Sequence, residues 1–199
     1  MGTLSLLWGL ALAPMGWVLL LAATAAPRWR ELHERPGFPR DLSFSDGLWE
    51  SCVEALVQPG PACRTLPEDT ARFWPMQVLR AATVGSLLLG ALAYGLAVLG
   101  ARLWAPPPRH NLVATAGLLL ALAGALYLGA AAYMAHRVLE DLADPQTPPA
   151  DRFHLGTCLY LGWSGGGTEV LAGVCLATSF CRNRGLVGEA AAAPYEVDY

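Results

Sequence analysis

The sequence predicts an α-helical membrane protein, a bundle of four transmembrane helices that carries a small antiparallel sheet outside the membrane. Of its 199 residues, 54% are apolar and only 15% are charged, whereas about a quarter of the residues in an ordinary soluble domain are charged. The apolar residues form four runs, each close to the roughly 20 residues that a helix needs to cross ~30 Å of hydrocarbon. The longest polar segment contains alternating apolar and polar residues, which are typical of strands.

The four runs divide the chain into spans, loops and two termini. Three prolines in the second loop favour an extended turn, and the Ala-rich segment after the fourth span has little apolar surface to bury, so we predict it to be disordered. The predicted segments are the N-terminus 1–5, spans 6–26, 78–104, 112–135 and 155–181, loops 27–77, 105–111 and 136–154, and the C-terminal tail 182–199.

The first apolar run also offers the small residues "AATAAP", which a signal peptidase would accept. It has no positively charged beginning, however, and Pro14 and Trp17 interrupt it, so we predict that it is retained as a span. An N-terminal myristoylation site is excluded because the motif requires Ser or Thr where this chain has Leu6.

The orientation follows from two cysteines in the first loop. Ten residues, including the turn sequence "QPGP", separate Cys52 from Cys63, and this spacing suits a disulfide across a hairpin, which persists in an oxidising compartment. We therefore expect the first and third loops to be extracellular and both termini to be cytosolic. The distribution of Arg favours the opposite orientation, because basic residues are usually more frequent in cytosolic loops and those two loops hold eight of the 13 Arg.

Within the first loop, the stretches "LSF" and "LWESCVEALV" alternate in polarity and predict an antiparallel hairpin, with "QPGPA" as a turn. The following "LPEDTARFW" has the proline and acidic residues of a short helix before the second span.

The pattern W…GLWxxC…C outside four spans resembles the signature of the claudin family. The stretches "GWVLLLAATAAPRWR", "HRVLEDLADPQTP" and "LGTCLYLGW" are similar to claudin segments in the same order, so the resemblance covers nearly the whole chain. The signature residues are Trp29, Gly47, Leu48, Trp49, Cys52 and Cys63, with Arg80 entering the second span.

The resemblance implies a claudin-like fold, a left-handed four-helix bundle with an extracellular antiparallel sheet. It also implies a structural protein of tight junctions in the plasma membrane, which assembles with other claudins in cis and in trans to form a paracellular barrier or a charge-selective pore. We expect Trp29 and Trp49 to anchor the sheet at the level of the lipid headgroups, while the disulfide restrains a hairpin too small to be stable alone.

Three charged residues near the cysteines are candidates for setting ion preference, and two of them, Arg64 and Glu54, match positions that are frequent charge determinants in claudins. Arg64 facing a pore would disfavour cations, and Glu50 or Glu54 could offset it. The alternative is that all three are solvated charges on the sheet surface.

Further sites carried by the resemblance lie in the second extracellular loop and at the C-terminus. Leu142, Asp144 and Pro145 occupy the adhesion loop, although Leu142 and Ala143 stand where many claudins have an aromatic pair. Later in that loop, Phe153 and His154 replace a Tyr-Glu pair.

The chain ends in "YEVDY", so a PDZ domain would bind Val197 and Tyr199. Cys181 resembles a palmitoylation site.

The other polar residues of the sequence indicate no enzyme, cofactor, metal or nucleic acid. The four histidines lack metal-ligand spacing, the glycines of "GWSGGG" suit close helix packing, and the basic residues form no block that would bind nucleic acid. Glu169 within the fourth span should face the bundle and hydrogen-bond to a Tyr, Thr or Ser of a neighbouring helix. Two alternative functions remain within the wider superfamily, namely a channel auxiliary subunit and a tetraspan adhesion or trafficking protein that forms no strands.

Overall fold

The computed structural model describes residues 2–33, 42–55, 60–66, 73–101, 110–146, 148 and 152–191. Four helices and five strands lie in these ranges. In chain order they are α1 (Gly2–Ala25), β1 (Arg30–His33), β2 (Leu42–Asp46), β3 (Glu50–Ala55), β4 (Ala62–Thr65), α2 (Trp74–Ala101), α3 (His110–Ala143), β5 (His154–Leu155) and α4 (Thr157–Ala191).

The four predicted helices are confirmed, and three of them are long and apolar enough to cross a membrane. These three stretches are Leu4–Ala25, Trp74–Ala101 and Asn111–Ala143. The fourth helix is less apolar because it contains Glu169 and a run of glycines. It nevertheless packs along α1 and α3 and contributes Leu159, Ala172 and Leu176 to the core of the bundle.

Every helix extends beyond its predicted span at one end or the other, and two of them continue well past the predicted C-terminal boundary. Helix α3 continues eight residues past position 135 and forms the first part of the second extracellular loop predicted from sequence. Helix α4 continues to Ala191, so the prediction of a disordered tail is wrong for residues 182–191. Arg, Leu, Glu and Ala in this stretch are good helix formers, and extending an existing helix avoids the cost of nucleation. The helix predicted within "LPEDTARFW" lies mostly outside the described residues.

The five strands form one sheet in the order β4, β3, β2, β1 and β5, with antiparallel neighbours throughout. The two alternating stretches form β2 and β3, which pair antiparallel, whereas the disulfide joins β3 to β4. The predicted turn lies partly outside the described residues. Strand β5 was not predicted. It lies at the boundary between the predicted loop 136–154 and the fourth span, and it pairs with β1 through Arg30 and Leu155, so the sheet joins the segments before α2 and before α4.

Glycines allow α4 to lie close to two neighbours at once. A Cβ on Gly173 would lie 2.5 Å from the carbonyl oxygen of Gly117 in α3, and one on Gly165 would lie 3.1 Å from that of Gly16 in α1. Small residues at such positions let helix backbones approach within a membrane. The packing role predicted for "GWSGGG" is therefore confirmed.

Candidate functional site

Two tryptophans join the sheet to the end of α1. The last carbonyl groups of a helix have no partner within the helix. Here the indole N–H of Trp29 donates to the oxygen of Ala23 at 2.8 Å, and that of Trp49 donates to the oxygen of Thr24 at 3.0 Å. The two signature tryptophans therefore cap α1 with their side chains and fix the sheet to the helix.

The surroundings of the two rings differ. Trp29 is 0% exposed and packs 6.3 Å from the ring of Tyr127, between centroids. The expectation that it sits among lipid headgroups is therefore wrong, because protein encloses it on all sides. Trp49 is 42% exposed, and its place at the headgroup level stays a prediction.

The turn between β2 and β3 fits against the bundle. A Cβ on Gly47 would lie 2.5 Å from the Cα of Pro27, so any other residue would push the turn away from α1. Leu48 is fully buried, and its carbonyl oxygen accepts a 2.7 Å hydrogen bond from Nε of Arg80. The guanidinium of Arg80 also lies 5.0 Å from the centre of the Trp49 ring, where a cation–π contact is favourable. Arg80 thus ties the turn to α2.

The chain returns to the same region at Gly156, just after the loop predicted over residues 136–154. A Cβ there would overlap the carbonyl group of Arg28, and the backbone N–H of Gly156 donates to the oxygen of Trp29 at 2.9 Å. Three residues before Gly156, the ring of Phe153 packs against Arg30, with the guanidinium 4.4 Å from the ring centre. The start of α4 is therefore held against the link between α1 and β1.

Cys52 and Cys63 form the predicted disulfide. They lie directly opposite each other on β3 and β4, with their Cα atoms 4.0 Å apart. The bond joins the outermost strand to its neighbour. The carboxylate of Glu50 lies within 4.8 Å of both sulfur atoms, but a disulfide offers no thiolate to a metal ion, so this cluster does not form a metal site.

Arg64 lies on the opposite face of the sheet from the two glutamates. Successive side chains of a strand point to alternate faces, and residues paired across two strands share a face. Glu50 and Glu54 share the face of Cys52, whereas Arg64 pairs with Ser51 on the other face. Neither glutamate therefore lies beside Arg64 on the same face, and whether one of them offsets its charge stays a prediction. Glu54 instead forms a 2.8 Å ion pair with Arg28.

The predicted adhesion loop begins at the end of α3. Leu142 lies in the last turn of the helix and is half-buried, while Asp144 and Pro145 are exposed. The carboxylate of Asp144 accepts a 2.9 Å hydrogen bond from the backbone N–H of Gln146, an Asx-type turn. The guanidinium of Arg152 donates to the carbonyl oxygen of Asp144 at 3.2 Å. The tip of the loop is thus shaped by local polar contacts.

Three further predicted residues lie in the C-terminal part of the chain. Val197 and Tyr199 lie outside the described residues. Cys181 lies on α4, and its side chain is not among those described. Cys158 is buried and Cys175 is partly buried, and both are free thiols.

Glu169 faces the interior of the bundle as predicted and is 0% exposed. Its carboxyl group fits between two helices, since a Cβ on Gly90 would lie 2.9 Å from its Oε1 and a Cβ on Gly16 would lie 2.9 Å from its Cγ. The predicted hydrogen bond is wrong, because neither oxygen has a partner in the part of the chain that the structure describes. The hydroxyl of Tyr127 instead shares a 3.0 Å hydrogen bond with that of Thr24.

Sequence reasoning missed the contribution of Thr24, Tyr127 and Gly156 to this region. Thr24 was detectable as a lone hydroxyl near the end of an apolar run, and Tyr127 as a phenol within a span, where each needs a partner. The sequence before the fourth span gave no sign that Gly156 must pass close to another backbone.

The bundle, the covalently joined sheet and the Trp-Gly-Leu-Trp contacts together define a multi-pass membrane protein with a compact sheet at one end of four helices. The model of the PMP-22/EMP/MP20/Claudin family matches residues 3–176. The chain belongs to this family, as its signature residues predicted.

Similar proteins of this family are claudins. Mouse claudin-5 is 32% identical over 183 residues, which cover 88% of this chain and 84% of that protein. Human claudin-19 is 31% identical over 176 residues, covering 84% and 77%. Mouse claudin-7 is 28% identical over 179 residues, covering 87% and 84%.

Proposed function

We propose that this protein is a claudin-like structural component of tight junctions, which polymerises in the plasma membrane and adheres to other claudins in cis and in trans. The observation that carries this proposal is the sheet held to the bundle by Trp29, Trp49 and Arg80. Such a sheet presents its surface side chains at fixed positions above the membrane. Fixed positions are what a barrier or a pore between cells requires, because its selectivity depends on where charges lie.

The sheet and the second loop lie outside the cell in this proposal, and both termini lie in the cytosol. The support is the disulfide between Cys52 and Cys63, since disulfides persist in oxidising compartments. Leu142, Asp144 and Pro145 would then face the opposing cell.

The face of the sheet that carries Arg64 gives the pore an anion preference or a barrier to cations. On this face Asp46 is paired with Arg30 at 3.0 Å, while β3 contributes Ser51 and Val53 beside the exposed Arg64. The charge of these residues together is therefore positive. In a narrow aqueous path that charge would act more strongly than on an open surface.

Exchanging the charge at Arg64 tests this assignment. We expect Arg64→Glu to raise the sodium-to-chloride permeability ratio of an epithelial monolayer, measured from dilution potentials, because the negative side chain would attract cations. Glu50→Gln is the matched control, since Glu50 lies on the other face and its neutralisation should leave the ratio unchanged. An unchanged ratio in Arg64→Glu would remove this residue from the mechanism.

Strand formation is tested by expressing the chain in cells that lack tight junctions and examining the contacts by freeze-fracture. Continuous strands are the expected result. Isolated particles would instead support a superfamily auxiliary subunit or a tetraspan adhesion or trafficking protein. That second function is favoured by Phe153, which replaces part of the Tyr-Glu pair of the adhesion loop and whose ring packs 4.4 Å from the guanidinium of Arg30.

The cytosolic tail completes the proposal. Val197 and Tyr199 would bind a PDZ domain, whose groove takes a C-terminal segment as an added strand. Cys181, at the cytosolic end of the predicted fourth span, would accept a palmitoyl chain.

A further inference from the structure

An apolar groove runs between α2 and α3 on the side of the bundle that faces lipid. Its cavity of about 360 Å³ falls in the size range of ligand sites, roughly 300–1,000 Å³. Its lining includes Trp74, Val78, Ala82, Leu126, Gly129 and Tyr133. Apart from the phenol of Tyr133 and the indole N–H of Trp74, these side chains offer only hydrocarbon, which suits an acyl chain.

A second cavity of about 140 Å³ continues the groove towards the sheet. The two cavities share Pro75, Leu79 and Tyr133. The second one adds charged side chains that the first lacks, namely those of Arg30, Arg137 and Asp141. The combined site therefore has an apolar body and a charged end.

The dimensions of the groove match one leaflet of a bilayer. From Ala125, which lines its deep end, to Arg137 the helix advances twelve residues, or about 18 Å at ~1.5 Å per residue. Half of the ~30 Å hydrocarbon core is about 15 Å. An acyl chain that starts beside Arg137 can thus follow the groove to its end.

The order of the charges selects the headgroup. Asp141 lies one helical turn beyond Arg137, farther from the groove and therefore farther from the hydrocarbon. In a zwitterionic phospholipid the phosphate lies next to the glycerol and the ammonium group lies outside it. Arg137 is placed at the level of a phosphate, and Asp141 at the level of an ammonium group.

We propose that this groove binds one zwitterionic phospholipid from the leaflet nearest the sheet. One acyl chain lies between α2 and α3, Arg137 and Arg30 donate hydrogen bonds to the phosphate, and Asp141 contacts the ammonium group. A guanidinium has five N–H donors, and the bonds of Arg30 to Asp46 and of Arg137 to Glu140 use only part of them. Charge-assisted bonds of this kind are strong. Asp141 would repel a headgroup with only negative charge.

The test uses native mass spectrometry of the purified full chain in detergent, titrated with dioleoylphosphatidylcholine, dioleoylphosphatidylglycerol or cholesterol. We expect one phosphatidylcholine to bind per chain, more tightly than either other lipid. Gly129→Leu should abolish this binding because its side chain fills the groove. The fold should survive, since a Cβ at Gly129 meets no atom within 4 Å. Gly95→Leu is the matched control, because a Cβ there also meets no atom within 4 Å and Gly95 does not line the groove.

Two charge variants test the headgroup contacts. Arg137→Gln should weaken phosphatidylcholine binding about tenfold, the effect of losing one charge-assisted hydrogen bond. Asp141→Asn should remove the discrimination against phosphatidylglycerol. The proposal is overturned if Gly129→Leu binds phosphatidylcholine as well as Gly95→Leu does, or if the unaltered chain prefers phosphatidylglycerol or cholesterol. A dimer that Gly129→Leu disrupts would also overturn it, because the groove would then belong to a second copy of the chain.

Discussion

At the scale of single residues, the signature of this family acts through hydrogen bonds to a helix end. Helix α1 is apolar to its last turn, so its own side chains cannot satisfy the terminal carbonyl groups. The indoles of Trp29, just after the helix, and of Trp49, much later in the chain, donate hydrogen bonds to these carbonyl groups. An indole can do this in an apolar setting because it has one donor on a large hydrocarbon ring.

The two tryptophans should differ in their contribution to stability. Trp29→Phe removes the donor to the buried carbonyl oxygen of Ala23, and water cannot take its place. We therefore expect the free energy of unfolding to fall by about 1–3 kcal/mol. Trp49→Phe should cost less, because the Trp49 ring is 42% exposed and therefore loses less packing when it is replaced. The measurement is thermal unfolding in detergent, followed by circular dichroism.

Trp8→Phe provides the control, since Trp8 is exposed on the outer face of α1. Its midpoint temperature should match that of the unaltered chain. A larger loss for Trp49→Phe than for Trp29→Phe would contradict the capping role assigned to the buried ring.

At the scale of elements, α4 is held by glycines as much as by apolar side chains. Gly165 and Gly166 are neighbours in sequence but face different helices, α1 and α3, and Gly167 faces open space. A run of three glycines therefore serves two interfaces. This arrangement explains how the least apolar of the four helices packs in the bundle, since close backbone contact replaces part of the burial of large side chains.

Substitution of two glycines in α4 separates packing from helix propensity. Gly173→Ala would place a methyl group 2.5 Å from the oxygen of Gly117 and 2.6 Å from the nitrogen of Ala121, both backbone atoms of α3. We expect a loss of about 1–3 kcal/mol in unfolding free energy, measured by thermal unfolding in detergent.

Gly167→Ala is the control in the same helix, because its methyl group meets no atom within 4 Å. It should be neutral or stabilise the helix by up to about 1 kcal/mol. Equal effects of the two substitutions would show that the α3–α4 contact is looser than described.

At the scale of the whole molecule, one sheet connects both predicted extracellular loops to the bundle. Strands β1 to β4 come from the first loop and β5 from the boundary between the second and the fourth span, and the core around Trp29 and Leu48 continues into the helices through Tyr127 and Leu159. The sheet and the adjacent half of the bundle, which the proposed orientation places on the extracellular side, therefore share one hydrophobic core.

The proposed orientation predicts which parts of the chain an antibody reaches. An epitope inserted after Gly60, which lies in an exposed turn with a φ of 108° and open space around it, should be detected on intact cells. Tags at either terminus should be detected only after permeabilisation. Detection of a terminal tag on intact cells would reverse the assignment based on the disulfide.

Much of this architecture follows from local features of the chain. The lengths of the apolar runs predict the helices, since a span is set by bilayer thickness, and alternation predicts β2 and β3. The cysteines predict the disulfide, and their pairing even implies that Arg64 and Glu50 lie on opposite faces, because position 64 must then face position 51. That consequence was present in the sequence but was not drawn from it.

Other features depended on packing between segments distant in sequence. No local pattern indicates that Trp29 bonds to Ala23 inside the core or that residues 154–155 complete the sheet. Nor does one indicate that Glu169 is buried with no hydrogen-bond partner among the described residues. Hydropathy and cysteine spacing are properties of residues close together in sequence, so the sequence alone reveals them. Hydrogen bonds and close glycine contacts depend on which surfaces meet, and only the folded bundle brings those surfaces together.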